Sequence, residues 1–230
     1  GAIRRGRAGW TIIVGVPLVL LGCVAIAVWS FRGESPIAGG LAAYQRGDWS
    51  DAAASARKRL EADRSDPDAL RLLARSSARL GRDDSAEALY RKLGADRMEA
   101  EDLFLLGRGL NRKGLKGPAL ASFRAARDAD PDHAETLDAL MERSIDLGLP
   151  EDAASIAERL SRQPGWEVRG LIRLASLRQS LLDPAGAAEA IGRAIAIDPE
   201  LRQSGTTPAE ASKRLAACLL ECGRTEEAVK

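Results

Sequence analysis

From Leu103 to Pro131 the chain reads LFLLGRGLNRKGLKGPALASFRAARDADP, and these twenty-nine residues decide the fold. Leu103, Leu106, Gly107 and Leu110 recur at helical spacing and form one apolar stripe. Lys113-Gly114 then turns the chain, and Ala119, Phe123 and Ala126 form the stripe of a second helix. Pro118 falls at the start of that second helix, where a missing N–H costs nothing. The segment is expected to be a helical hairpin that cannot bury its apolar faces alone.

The same pattern recurs on both sides. Gly47, Gly81, Gly114, Gly148 and Leu182 stand 33 or 34 residues apart, so the hairpin is one of a series. In the fourth repeat the stripes are Leu137, Leu140 and Ile145, then Ala153, Ala157 and Leu160; in the fifth they are Leu171, Leu174 and Ala175, then Ala187, Ile191 and Ala194. Pro150 and Pro184 again fall at second-helix starts. Asp66-Pro67, Asp130-Pro131 and Asp198-Pro199 mark repeat junctions, with each proline expected in the first turn of the next helix. The spacing predicts five repeats over 37–202, an insertion loop at 203–208, and a partial sixth repeat at 209–230. That sixth repeat has no polar capping helix, so its apolar face is expected to be covered by further chain or another subunit.

The pattern resembles the tetratricopeptide repeat. The family's small residue in the first helix falls on Gly40, Ala74, Gly107, Met141 and Ala175, and its alanine in the second helix on Ala52, Ala86, Ala119, Ala153 and Ala187. Its later aromatic site is Tyr90 and Phe123 in two repeats but Ala56, Ala157 and Ile191 in the others. The resemblance implies an all-α, right-handed superhelical solenoid of hairpins. These signature residues pack helix on helix and carry no chemistry.

Ahead of the repeats, Trp10 to Phe31 is twenty-two residues without a charge, the length a helix needs to cross a bilayer. A basic start at 1–9, a transmembrane helix at 10–31 and a short linker at 32–36 are therefore expected. Trp10 and Trp29 would mark the two headgroup levels, and Arg4, Arg5 and Arg7 would hold the N-terminus in the cytoplasm. A cleaved signal or a lipoprotein signal at Leu20–Cys23 is the competing reading; the apolar run continues past either cut to Trp29. With 28 arginines to 6 lysines suggesting a GC-rich bacterial source, the expected location is a bacterial inner membrane with the repeats exported to the periplasm.

Thirty-four basic and thirty-three acidic residues leave a net charge of +1, which argues against nucleic-acid binding. The lone His133 opens a helix at a repeat junction, and Cys218 and Cys222 lack the spacing of zinc or redox motifs. No phosphate loop or nucleophile elbow occurs, so neither a catalytic residue, a metal nor a cofactor is expected.

What remains is binding. One face of the first helices carries Arg71, Arg75 and Arg79 in the second repeat, Arg108, Asn111 and Arg112 in the third, and Asp138, Glu142 and Asp146 in the fourth. Like charges four apart repel, so local helix stability did not select them. Two explanations stay open: the third repeat's arginines pair with the fourth's acids, or the arginines hold an acidic stretch or terminal carboxylate of a partner, which the resemblance also implies for Asn111 beside Arg108. On the second, reversing Arg75 and Arg108 would weaken capture and leave stability unchanged. The expected role is a membrane-anchored scaffold or accessory subunit of a larger complex; recognition by part of a longer enzyme, or a chaperone for exported proteins, are the alternatives. Protein subunits or peptide segments are the expected partners.

Overall fold

The glycines that set the period are each left-handed. In the computed structural model, which describes residues 37–202 and 204–228, φ is +86° at Gly47, +75° at Gly81, +77° at Gly114 and +69° at Gly148. Each lies in the turn joining the two helices of a hairpin, where a Cβ would clash with the following carbonyl. Leu182 occupies the same place in the fifth repeat with φ 59°, and its side chain is 89% exposed. A non-glycine residue there costs about 1–2 kcal/mol. Leu182→Gly is therefore expected to stabilise the protein by about 0.5–1 kcal/mol, less than that strain because glycine loosens the unfolded chain. Urea unfolding checks it; an unchanged or lower midpoint would contradict it.

Among the described residues there are twelve α-helices, one 3₁₀ turn at Ala95–Arg97 and no strand. The chain divides into two compact units, the first ending at Leu72 and the second beginning at Leu73. In the first, α1 (Ala38–Arg46) packs on α2 (Trp49–Ala62). Gly40 meets Ser55 there, Ala52 and Ala56 are fully buried, and Tyr44 lies edge-on to Trp49. The helix α3 (Pro67–Arg79) carries the chain from one unit into the other.

The second unit continues with α4 (Asp83–Leu93), α5 (Ala100–Arg112), α6 (Lys116–Ala129), α7 (Ala134–Asp146), α8 (Pro150–Leu160), α9 (Glu167–Ser180), α10 (Pro184–Ile197), α11 (Pro208–Glu221) and α12 (Thr225–Ala228). The helices pair as α5 with α6, α7 with α8, and α9 with α10, and each pair's second helix packs on the first helix of the next. This is a stack of hairpins, the solenoid arrangement. Its signature positions are all interior: Ala74, Met141 and Ala175 in first helices, Ala119, Ala153 and Ala187 in second helices. Leu137, Met141, Leu160, Leu171, Leu174, Ile191 and Leu219 belong to one continuous core.

The prolines divide. Pro67, Pro150 and Pro184 open helices as expected. Pro131 and Pro199 do not; they stand in turns, where Asp130 and Asp198 accept the backbone N–H groups of Asp132 (3.0 Å) and Glu200 (3.1 Å), as Asp66 accepts that of Asp68 over Pro67. The connection before α11 runs 198–207, and Thr207 caps the helix by accepting the N–H of Glu210 at 3.2 Å.

The expected placement in a bacterial inner membrane is corrected. Among the described residues no helix is long and apolar enough to cross a membrane. The expected span 10–31, with Trp10, Trp29, Arg4, Arg5 and Arg7, lies outside the described residues.

Candidate functional site

The charged face of the first helices sorts itself into ion pairs of two kinds. Arg71 bonds Asp68, three residues earlier on its own helix, at 3.2 Å. Arg75 points into the repeat interface: its Nε donates to Asp102 Oδ1 at 2.7 Å and its Nη2 to Glu99 at 2.8 Å, while Nη1 lies 3.0 Å from Glu101. The side chain of Asp102 is 0% exposed and that of Arg75 15%. Asp102 also accepts the N–H of Glu99 at 2.9 Å, so one carboxylate both starts α5 and anchors α3. Burial alone would lower the Arg75 pKa; the bond to Asp102 and the charges of Asp102 and Glu101 outweigh it and raise it above the ordinary arginine value. Arg79 grips Glu135 with both terminal nitrogens, at 2.6 and 2.8 Å, and reaches Glu101 at 3.0 Å. That fork ties the second repeat to the fourth. Reversing Arg75 is thus expected to unfold the interface, not to leave stability unchanged.

The third repeat's arginines turn backwards. Arg108 and Arg112 each donate to the carbonyl of Ala78 at 3.3 Å, at the C-terminal, partly negative end of α3. Arg112 also binds Asp83 through Nε at 2.8 Å and through Nη2, which holds the Asp83 carboxyl below its usual range. The Arg108 guanidinium stands 5.7 Å above the ring of Phe104. Asn111 is exposed. Asp138, Glu142 and Asp146 of the fourth repeat take other partners. Asp138 pairs with Arg169 at 2.7 Å and Glu142 with Arg173 at 2.6 Å, both on the next first helix, and Asp146 takes Arg143 of its own helix at 2.7 Å. These pairs, unlike Arg75–Asp102, are partly open to solvent.

Two carboxylates respond to acid in opposite senses. Burial pushes Glu135 up, but the Arg79 fork and charge pull it further, to below its usual 4.5. Its contribution is therefore complete above about pH 4.5 and is lost as pH falls through the depressed folded value. Burial dominates at Asp138 and raises it above 3.8 despite Arg169. Its folded form takes up a proton more readily, so acid relieves a cost there. Arg79→Gln is expected to shrink the loss of stability between pH 4.5 and pH 3, measured by urea midpoints. An undiminished loss would contradict the assignment.

The remaining polar chemistry is structural. His133 caps α7, its Nδ1 accepting the N–H of Thr136 at 3.3 Å, and its half-buried ring lies 5.6 Å from that of Phe104. Cys218 is buried in the core, which pushes its thiol up, and Gln179 donates to its sulfur at 3.2 Å; Cys222 is a half-buried residue at the end of α11. Among the described residues no group of three His, Cys, Asp or Glu side chains is arranged to hold a metal. Sequence spacing missed Asp102, Glu135, Arg169 and Arg173. Their partners lie 27, 56, 31 and 31 residues away, on other hairpins.

No family model and no curated protein matches the sequence. Solved structures do match its shape. PilF of Pseudomonas aeruginosa aligns with a TM-score of 0.63 at 21% identity, covering 84% of this chain and 85% of its own. The C-terminal part of a TPR repeat-containing protein from Cytophaga hutchinsonii aligns with a TM-score of 0.59 at 16% identity, covering 81% and 80%. MamA aligns with a TM-score of 0.56 at 17% identity, covering 70% and 85%. Together with the buried signature positions and the left-handed hairpin turns, these likenesses give the chain the fold of the tetratricopeptide-repeat proteins.

Proposed function

We propose that this chain is a protein-interaction scaffold that docks a partner segment on the first-helix face of the second unit. The observation that supports this reading is the contrast among its ion pairs. Arg75–Asp102 is largely buried and holds two hairpins together, whereas Glu142–Arg173 is half-exposed. Exposed pairs contribute only about 0–1 kcal/mol, so a charged partner can exchange them at little cost. Asn111 and Arg112, exposed at the end of α5, extend the same face. The interaction is one of binding, and no reaction is assigned to it.

The test is capture from an extract of the source cells on the immobilised chain, eluted with a salt gradient. A stoichiometric protein partner released between about 0.1 and 0.5 M salt is expected, since exchanged surface pairs are screened over that range. Absence of any stoichiometric protein, or one indifferent to salt, would contradict the reading.

A further inference from the structure

The fourth hairpin is underfilled between its helices and the second helix of the third. One period earlier the third repeat places a half-buried Leu110 and a buried Phe123; the fourth has Ser144 and Ala157 at the corresponding positions. A cavity of about 410 Å³ opens there between α6, α7 and α8, within the range that holds a compact ligand or a large side chain. Its mouth carries Leu147 and Leu149, 57% and 44% exposed on either side of the Gly148 turn. Two bulky apolar side chains left in water beside an open hollow mark a contact surface.

The rim fixes the sign of what enters. Four arginines line the cavity against a single carboxylate, Asp152. Two of the four, Arg127 and Arg159, are occupied by the exposed Asp128 and Asp132. Among the described residues Arg124 forms no ion pair, and the Nε of Arg143 is buried with no acceptor although its Nη1 bonds Asp146. A buried donor without an acceptor is costly, and an incoming carboxylate would satisfy it.

We propose that this cavity is a second docking site, taking one bulky apolar side chain of an acidic partner segment while flanking carboxylates bond Arg124 and Arg143. It goes beyond the first-helix reading and does not depend on it. The occupant follows from charge complementarity: Leu120, Leu137, Leu140 and Ile156 form one part of a mixed lining, and the donors left open beside them, on Arg124 and at Nε of Arg143, are cationic.

The probe is a fluorescein-labelled eight-residue peptide with Leu-Phe at its centre and three carboxylates on either side, titrated against the full chain by polarisation. Saturable binding is expected, weakened about tenfold or more by Arg124→Glu and by Ser144→Leu, which restores the third repeat's leucine and fills the hollow. Replacing Leu-Phe by Ser-Ser, or the six carboxylates by amides, is expected to weaken it equally. Unchanged helical circular dichroism and melting temperature show that both variants fold. Failure of the native chain to bind, or binding as tight as the native chain's in both variants, would overturn the proposal. So would loss with Arg124→Glu alone while Ser144→Leu and the Ser-Ser peptide bind normally, because that is surface ion pairing without the hollow. Partner capture through the first-helix face is read separately by cross-linking from Asn111 and is expected to survive both variants.

Discussion

Asp102→Ala is expected to lower the stability of the second unit by about 3–5 kcal/mol, the loss typical of removing one partner of a buried ion pair. The Asp102 side chain is 0% exposed, and without it Arg75, itself only 15% exposed, keeps its charge in a poorly solvated interface. The change also strips the N–H of Glu99 of its acceptor at the start of α5. In a protein of this size that loss corresponds to a fall in melting temperature on the order of 10 °C. Asp102→Asn keeps the shape and loses the charge, and should fall between. In a double-mutant cycle, Arg75→Gln with Asp102→Asn is expected to show coupling of about 1–3 kcal/mol, the range for groups in direct contact. Additivity of the two changes would mean that the pair does not hold α3 to α5.

The second large effect is steric. Gly170, on the first turn of α9, packs so closely on the end of α8 that a Cβ would lie 2.5 Å from the nitrogen and 2.6 Å from the Cα of Ser161. Both are backbone atoms and cannot rotate away. Gly107 is a useful contrast, because a Cβ there would meet ring atoms of Phe123 at 2.7 and 2.8 Å, and a side chain can shift. Gly170→Ala is expected to cost about 3 kcal/mol by forcing the fourth and fifth hairpins apart, at the upper end of ordinary overpacking. Gly107→Ala should cost less than Gly170→Ala. Urea midpoints of the two variants decide it; equal losses would mean that the α8–α9 contact yields as easily as a side chain.

These two residues also show what the sequence could and could not convey. The hairpin series was legible because its determinants are local and periodic. A turn needs glycine once per repeat, and the helix contacts need Ala119, Ala153 and Ala187 at one offset from it. Leu182 could be placed by spacing alone, and the structure shows the left-handed backbone that its neighbours' glycines imply. The site was less legible. Asp102 reads as an ordinary acid in the first turn of a helix; only the approach of α3 turns it into a buried counter-ion. The fourth repeat's acids were grouped with the third repeat's arginines by adjacency. Arg108 and Arg112 instead turn back to the negative end of α3, leaving Asp138 and Glu142 to the fifth repeat. The same limit applies to Asp-Pro: at Asp66-Pro67 it opens a helix, and at Asp130-Pro131 and Asp198-Pro199 it closes a turn. The dipeptide is identical, and the residues that follow decide.

Partner docking on the first-helix face is tested most directly by a photo-reactive side chain placed at Asn111, with a control at Glu189, exposed on the second helix α10. Irradiation in a source-cell extract is expected to cross-link one protein to Asn111, with the yield falling as salt is raised, and to leave Glu189 unlabelled. Equal or stronger labelling from Glu189 would place the partner elsewhere and contradict docking on that face.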